Sequence, residues 1–271
     1  MDGLTETTRM YFKLLQIALK ALIQFRADFL IGVTGVIGMN SANLLAIGVI
    51  LGRFNNLAGW SIWEIVFLYG LWMTANSIYS LLFYHVSFLE EYIVEGSFDR
   101  FLTRPLSPLL QLIAADVNMN GISDVIFGFS ALLLAITHLG LRFSPLQWLY
   151  ALVMLFSAAI LELGLRLALA SVAFWTNRSL ALVYTANQVN WRMVQQYPLE
   201  MFGRGFRVLV TCLIPVAFIN YYPARFLLGK TAPGDPWYFL SFLSPLAAAI
   251  LLVIGILVWD KGLRRYNSTG S

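Results

Sequence analysis

The sequence predicts an all-α polytopic membrane protein, and two observations carry that reading. Of 271 residues, 59% are hydrophobic and 12% charged, whereas a soluble domain carries about 25% charge. Mean hydropathy is +0.73, and several apolar runs exceed the roughly 20 residues that cross a ~30 Å hydrocarbon core. Runs of that length cannot all hide inside one small globule, and within lipid a helix satisfies its own backbone groups. A water-soluble enzyme is excluded. The net charge of +4 and pI near 9.2 come from Lys and Arg scattered at the ends of apolar runs. Without a basic stripe, no nucleic-acid partner is expected.

The elements follow in chain order. Thr5 to Phe29 places Met10, Leu14, Ile17, Ala21 and Phe25 at helical spacing, with Arg9, Lys13, Lys20 and Arg26 off that face, which predicts an interfacial amphipathic helix. Membrane segments are expected at Phe29 to Leu51, Trp60 to Tyr84, Ala115 to His138, Leu146 to Phe174, Leu180 to Tyr197 and Trp237 to Trp259. The fifth is ambiguous. Phe206 to Tyr222 is a further apolar run, broken by Pro215, while Leu180 to Tyr197 carries Asn187, Gln188, Asn190 and Arg192. If 180–197 crosses, 206–222 is a re-entrant hairpin; if 180–197 lies on the surface, 206–222 crosses. Either choice gives six crossings and puts both termini on one side.

Lys and Arg near membrane ends are retained in the cytoplasm. The N-terminal segment, the connection carrying Arg100 and Arg104, Arg178, and the tail with Lys261, Arg264 and Arg265 assign both termini to the cytoplasmic side of a cell inner (plasma) membrane. Arg204, Arg207, Arg225 and Lys230 then fall on the outer side and weaken the contrast. Tryptophans at 60, 63, 148, 175, 237 and 259 suit interfacial belts; Trp72 and Trp191 fall deeper.

No GxxxxGK[ST] phosphate loop, HExxH or paired CxxC occurs, and the two histidines, His85 and His138, sit at membrane ends. No catalytic residue, metal ligand or cofactor is therefore expected in this chain, and the energy for any work comes from elsewhere. Glu162 and Arg166, four residues apart in the fourth span, share a helical face and can neutralise one another. They read either as an ion pair that fixes packing or as the lining of a polar translocation path. Asp124 should face a protein partner or a cavity. Asn187, Trp191 and Arg192 are further path candidates, Arg192 with Glu200 within reach.

The segment between the second and third spans, residues 85–113, carries acids first, then a glycine break, then a short turn with Phe98, Phe101 and Leu102 on one face. Pro105 ends that turn and Pro108 opens the next helix. A small apolar knob ringed by Glu95, Asp99, Arg100 and Arg104 suits docking into a groove of a soluble partner. A lipid-touching surface helix would instead carry excess base.

The runs GSFDRFLTRPLSPLLQ at 96–111, IPVAFINYYPARFLLG at 214–229 and the ending LRRYNSTGS resemble the ABC-2 type permeases, in particular a subgroup of uncharacterised permease components. The resemblance implies the ABC-2 (type V) exporter fold in a single transmembrane domain, 1–271. Its parts are an elbow helix at 1–28, six transmembrane helices, a cytoplasmic coupling helix within 85–113, and an outer re-entrant segment at 198–236 that includes Pro215, Tyr221, Pro223 and Ala224. It makes 180–197 the fifth span, and it maps coupling onto Glu95, Gly96, Phe98, Asp99, Arg100, Leu102, Arg104 and Pro105. It also implies a separate ABC ATPase in two copies, holding ATP and Mg, and a second permease or a second copy of this chain, among membrane lipids. An amphipathic, lipid-like or drug-like compound would be exported. The competing readings are a lipid-modifying enzyme using Glu162, Asp124 or Arg192, and a non-transporting scaffold.

Overall fold

The computed structural model describes residues 26–53, 58–115, 118, 120–189, 197–235 and 237–267. The expected elbow helix up to residue 25, together with Trp191 and Arg192, lies outside the described residues. Every regular element among those described is helical. They are α1 (Arg26–Arg53), α2 (Ile62–Phe83), α3 (Leu89–Val94), α4 (Asp99–Leu102), α5 (Pro108–Ile113), α6 (Asn120–His138), α7 (Pro145–Ala170), α8 (Ala173–Thr176), α9 (Leu180–Val189), α10 (Arg204–Val208), α11 (Tyr221–Leu227) and α12 (Ser244–Leu263).

Among the described residues four stretches are long and apolar enough to cross a membrane: Ile62–Val94, Gly121–His138, Pro145–Thr176 and Ser244–Leu263. A bent pair, Arg204–Leu213 with Val216–Leu227, turns through 80° and would add a fifth as a broken span. The 28 residues of α1 measure about 42 Å at 1.5 Å per residue, and they include the apolar helical stretch Ile31–Ala46. Of the expected fifth span the ten residues of α9 and Tyr197 are described.

Local chemistry sets the helix starts. Ser61 and Glu64 form a capping box that opens α2, and Ser144 and Gln147 form another at α7, with Pro145 in its first turn; each satisfies backbone donors that would otherwise face lipid unpaired. The last span begins later than the sequence predicts, at Ser244 instead of Trp237. Pro245 is suited to a first turn, and residues Tyr238–Phe242 form a 3-10 turn whose rings pack with Tyr150 and Phe226.

Close backbone contact at a few glycines joins two pairs of spans. A Cβ added at Gly164 of α7 would lie 2.5 Å from the backbone of Leu251 and Leu252 in α12, and one at Gly255 of α12 would lie 2.7 Å from the Gly164 carbonyl oxygen. Gly70 of α2 and Gly128 of α6 are likewise pressed against backbone, of Leu132 and Thr74 respectively. Small residues permit such approach, which is how helices associate without a hydrophobic drive between them. In α1 a Cβ added at Gly35 or Gly38 would meet nothing within 4 Å among the described residues, whereas one at Gly48 would lie 3.5 Å from the Ile62 side chain. Apolar packing separates into two cores. One surrounds Trp60, Phe67, Trp72, Phe218 and Tyr221 near the start of α2; the other surrounds Tyr79, Ile93, Phe98, Phe174 and Trp259 near its end.

Candidate functional site

The end of α2 runs through a 3-10 turn, Tyr84–Phe88, into α3 and so into a platform of three short helices. Gly96 terminates α3 with φ of 70°, a conformation open to glycine at no steric cost. Its N–H donates to the Ile93 carbonyl at 3.1 Å, and Phe98 N–H donates to Tyr92 at 2.9 Å, a helix-ending pattern. The Gln111 amide then donates to the carbonyls of Phe101 and Leu106 at 2.8 and 2.9 Å, closing the loop around Pro105.

The platform departs from the predicted apolar knob. Phe98 is 0% exposed, its ring lying 5.4 Å from Phe174, 6.0 Å from Trp259 and 5.1 Å from Tyr266. Phe101 is also buried, against Phe98 and Tyr92. A one-turn helix has too little surface to shelter an aromatic ring by itself, so the rings enter the cleft between the ends of α8 and α12. Trp259 belongs to this nest and not to an interfacial belt. Asp99 turns inward too, accepting a hydrogen bond from the Tyr266 hydroxyl at 2.9 Å. Burial, and then that carboxylate, push the Tyr266 hydroxyl up to about 12. What remains outside is Leu102 at 46% and Val94 at 56% exposure, flanked by exposed Glu91, Glu95, Arg100, Arg104 and Pro105. A cavity of about 400 Å3 beside them is lined by Tyr84, His85, Tyr92, Glu91, Glu95 and Arg100 among others. The Glu90 carboxylate accepts from the backbone N–H groups of Ser179 and Leu180, tying the platform to the start of α9.

Within the bundle, Arg166 and Glu162 are 2.8 Å apart and lie inside the chain's own packing, at 8% and 1% exposure. Arg166 also donates to the Asn76 side chain at 2.9 Å and stands 4.0 Å over the Tyr79 ring. The guanidinium is thus held by a carboxylate on α7 and by an amide and an aromatic face on α2, which satisfies a charge that lipid would penalise by several kcal/mol if left alone. Asp124 is half-buried on α6, on the side of Gly121 and Gly128 that meets α2. Asn187 is half-buried on α9. Trp72 is fully buried in the core.

At the opposite end of α2 the bent pair hinges at Pro215. Its apex is buried, with the Asn220 amide donating to the Leu68 carbonyl at 3.2 Å and Ser244 donating to the Phe218 carbonyl at 2.8 Å. Tyr221 stacks on Trp60 at 6.2 Å and donates to Glu200 at 2.6 Å; Pro223 and Ala224 are buried in the same helix. Glu200 meets Tyr221 and, at 4.0 Å, Arg225; Arg192, its expected partner, lies outside the described residues. Arg225 reaches Asp235 at 3.2 Å, and Lys230 reaches Glu64 at 3.0 Å while lying 4.9 Å over the Trp60 ring.

Several of these residues carry no signal in the sequence. Glu90 and Tyr266 act through chain separations of 89 and 167 residues, beyond any local pattern. The capping boxes were legible as S-x-x-E and S-x-x-Q. A family model described as "ABC-2 family transporter protein" matches residues 37–270. No curated protein and no solved structure matches the chain.

Proposed function

The chain belongs to the ABC-2 family of transporter proteins, and on that premise we propose that it is the membrane permease subunit of an ATP-driven exporter of amphipathic compounds. It is a multi-pass membrane protein, and the family works with an ABC ATPase. In our reading two ATPase copies bind ATP and Mg, and this chain, with a homologous permease or a second copy of itself, forms the passage. The platform faces the cytoplasm with both termini, and the bent pair is a re-entrant element on the outer side.

One observation carries the reading. The segment between α2 and α6 is a folded platform whose rings and hydrogen bonds bind three span ends, while a small mixed patch, Val94 and Leu102 among Glu91, Glu95, Arg100 and Arg104, faces away. A load applied to that patch passes through Phe98 to α8 and α12, and through Glu90 to α9. Closure of the ATPase pair would tilt those spans as rigid bodies. The buried Glu162–Arg166 pair holds α2 against α7 during that tilt.

Affinity purification from the native membrane tests the proposal. A phosphate-loop ATPase should copurify, and should be lost with Leu102→Asp plus Val94→Asp while the variant keeps its melting temperature. Absence of any ATPase under conditions that preserve other membrane complexes overturns the docking model. Copurification of a second permease would select the heterodimer.

A further inference from the structure

We propose that the wedge of the bent pair is a binding site for an anionic amphiphile, a compound with a phosphate or carboxylate head and an apolar tail. A cavity of about 320 Å3 opens there, lined by Arg204, Arg207, Arg225, Val208, Cys212 and Trp237 with neighbouring side chains; among the described residues three arginines and no carboxylate line it. Arginine is disfavoured on the outer side of a membrane, so each one at this end needs a reason. Arg225 has Asp235 and Glu200, and Lys230 has Glu64. Arg204 and Arg207 have no acidic partner within 4 Å among the described residues, and both line this cavity.

The order of residues along the limb gives the ligand its shape. Arg204, Arg207, Val208, Thr211 and Cys212 recur at three- and four-residue spacing, hence on one helical side. The guanidiniums lie at the limb's start, whereas its far end leads to Leu213, which is exposed, and to the buried apex that docks on Leu68. Charge sits at the membrane end and apolar surface runs inward. A guanidinium binds phosphate or carboxylate oxygens in a fork, and Val208 and Trp237, both exposed, offer an alkyl chain a wall. This site stands apart from ATPase docking, which lies at the other end of α2.

Cys212 is the chain's single cysteine, is exposed and lines the cavity, so it reports occupancy. The purified full chain in phosphatidylcholine nanodiscs is labelled with N-ethylmaleimide and followed by intact mass. Dodecyl phosphate should slow labelling severalfold, and dodecyltrimethylammonium should not. Arg204→Gln with Arg207→Gln should abolish the protection, and the corresponding double Lys variant should keep most of it, which separates loss of charge from loss of fold. Nanodiscs containing phosphatidylglycerol that protect Cys212 without added probe would identify a resident lipid as the source; protection by dodecyl phosphate alone would identify a diffusible amphiphile. Equal protection by the cationic probe, by inorganic phosphate, or in the Gln variant overturns the proposal. No ATPase is present in this assay, so its failure leaves the docking model intact.

Discussion

The platform end and the bent-pair end of the bundle are fastened by different physics. At the platform, Phe98 is locked among Phe174, Trp259 and Tyr266 with no exposure, and the contact energy comes from buried area. At the other end the apex of the bent pair is also buried against α2, but the limb beyond it is fastened by Lys230 to Glu64 and Arg225 to Asp235, ion pairs that keep partial access to solvent. Buried rings give a stiff, salt-insensitive joint, whereas partly exposed ion pairs are weak and screened. On the proposed function, the stiff joint is where force enters.

The largest expected effect is at the rings. Phe98→Ala should cost about 3–5 kcal/mol, read as a fall in melting temperature, together with loss of coupled ATP hydrolysis. Next comes the pair that joins α2 to α7. Arg166→Leu leaves Glu162 buried without its partner and should cost about 3 kcal/mol, and adding Glu162→Gln should recover much of that loss; equal melting in the single and double variants would argue against a buried pair.

A smaller change is expected at the ionic end. Lys230→Ala should cost at most about 1 kcal/mol, with the difference from the parent shrinking as salt is raised. If Lys230→Ala were as damaging as Phe98→Ala, the contrast between the ends would collapse. The smallest effect sharpens it from the platform side. The Tyr266 hydroxyl is raised to about 12 from an ordinary value near 10, so its contribution is fully present below about pH 10 and fades as pH rises through the raised value. The parent should therefore lose a modest increment of stability at the alkaline limit that Tyr266→Phe does not lose, measured by melting across that pH range.

The sequence was most legible where the cause is local. Apolar run length placed the main spans, the spacing of Glu162 and Arg166 put them on one side of a helix, and Gly96 marked a break. It was least legible where the cause is a distant surface. The aromatic residues of the platform turn carry the same pattern whether they project or tuck in, and only the cleft between α8 and α12 decides it. Gly164 and Gly255, which interlock α7 with α12, sit in no short glycine repeat that would mark them. The arginine cavity was hidden because Arg204, Arg207 and Arg225 read as exceptions to charge bias until the hairpin fold gathered them.

The interlock of Gly164 with Gly255 also bears on how the molecule is made. A ribosome delivers α7 long before α12 exists, and the bare backbone at Gly164 then forms a notch that no residue of its own helix can fill. Until α12 arrives, nothing in the chain made so far closes that notch. The α7 face of the bundle therefore becomes compact only once α12 is in place, and that helix acts as its keystone.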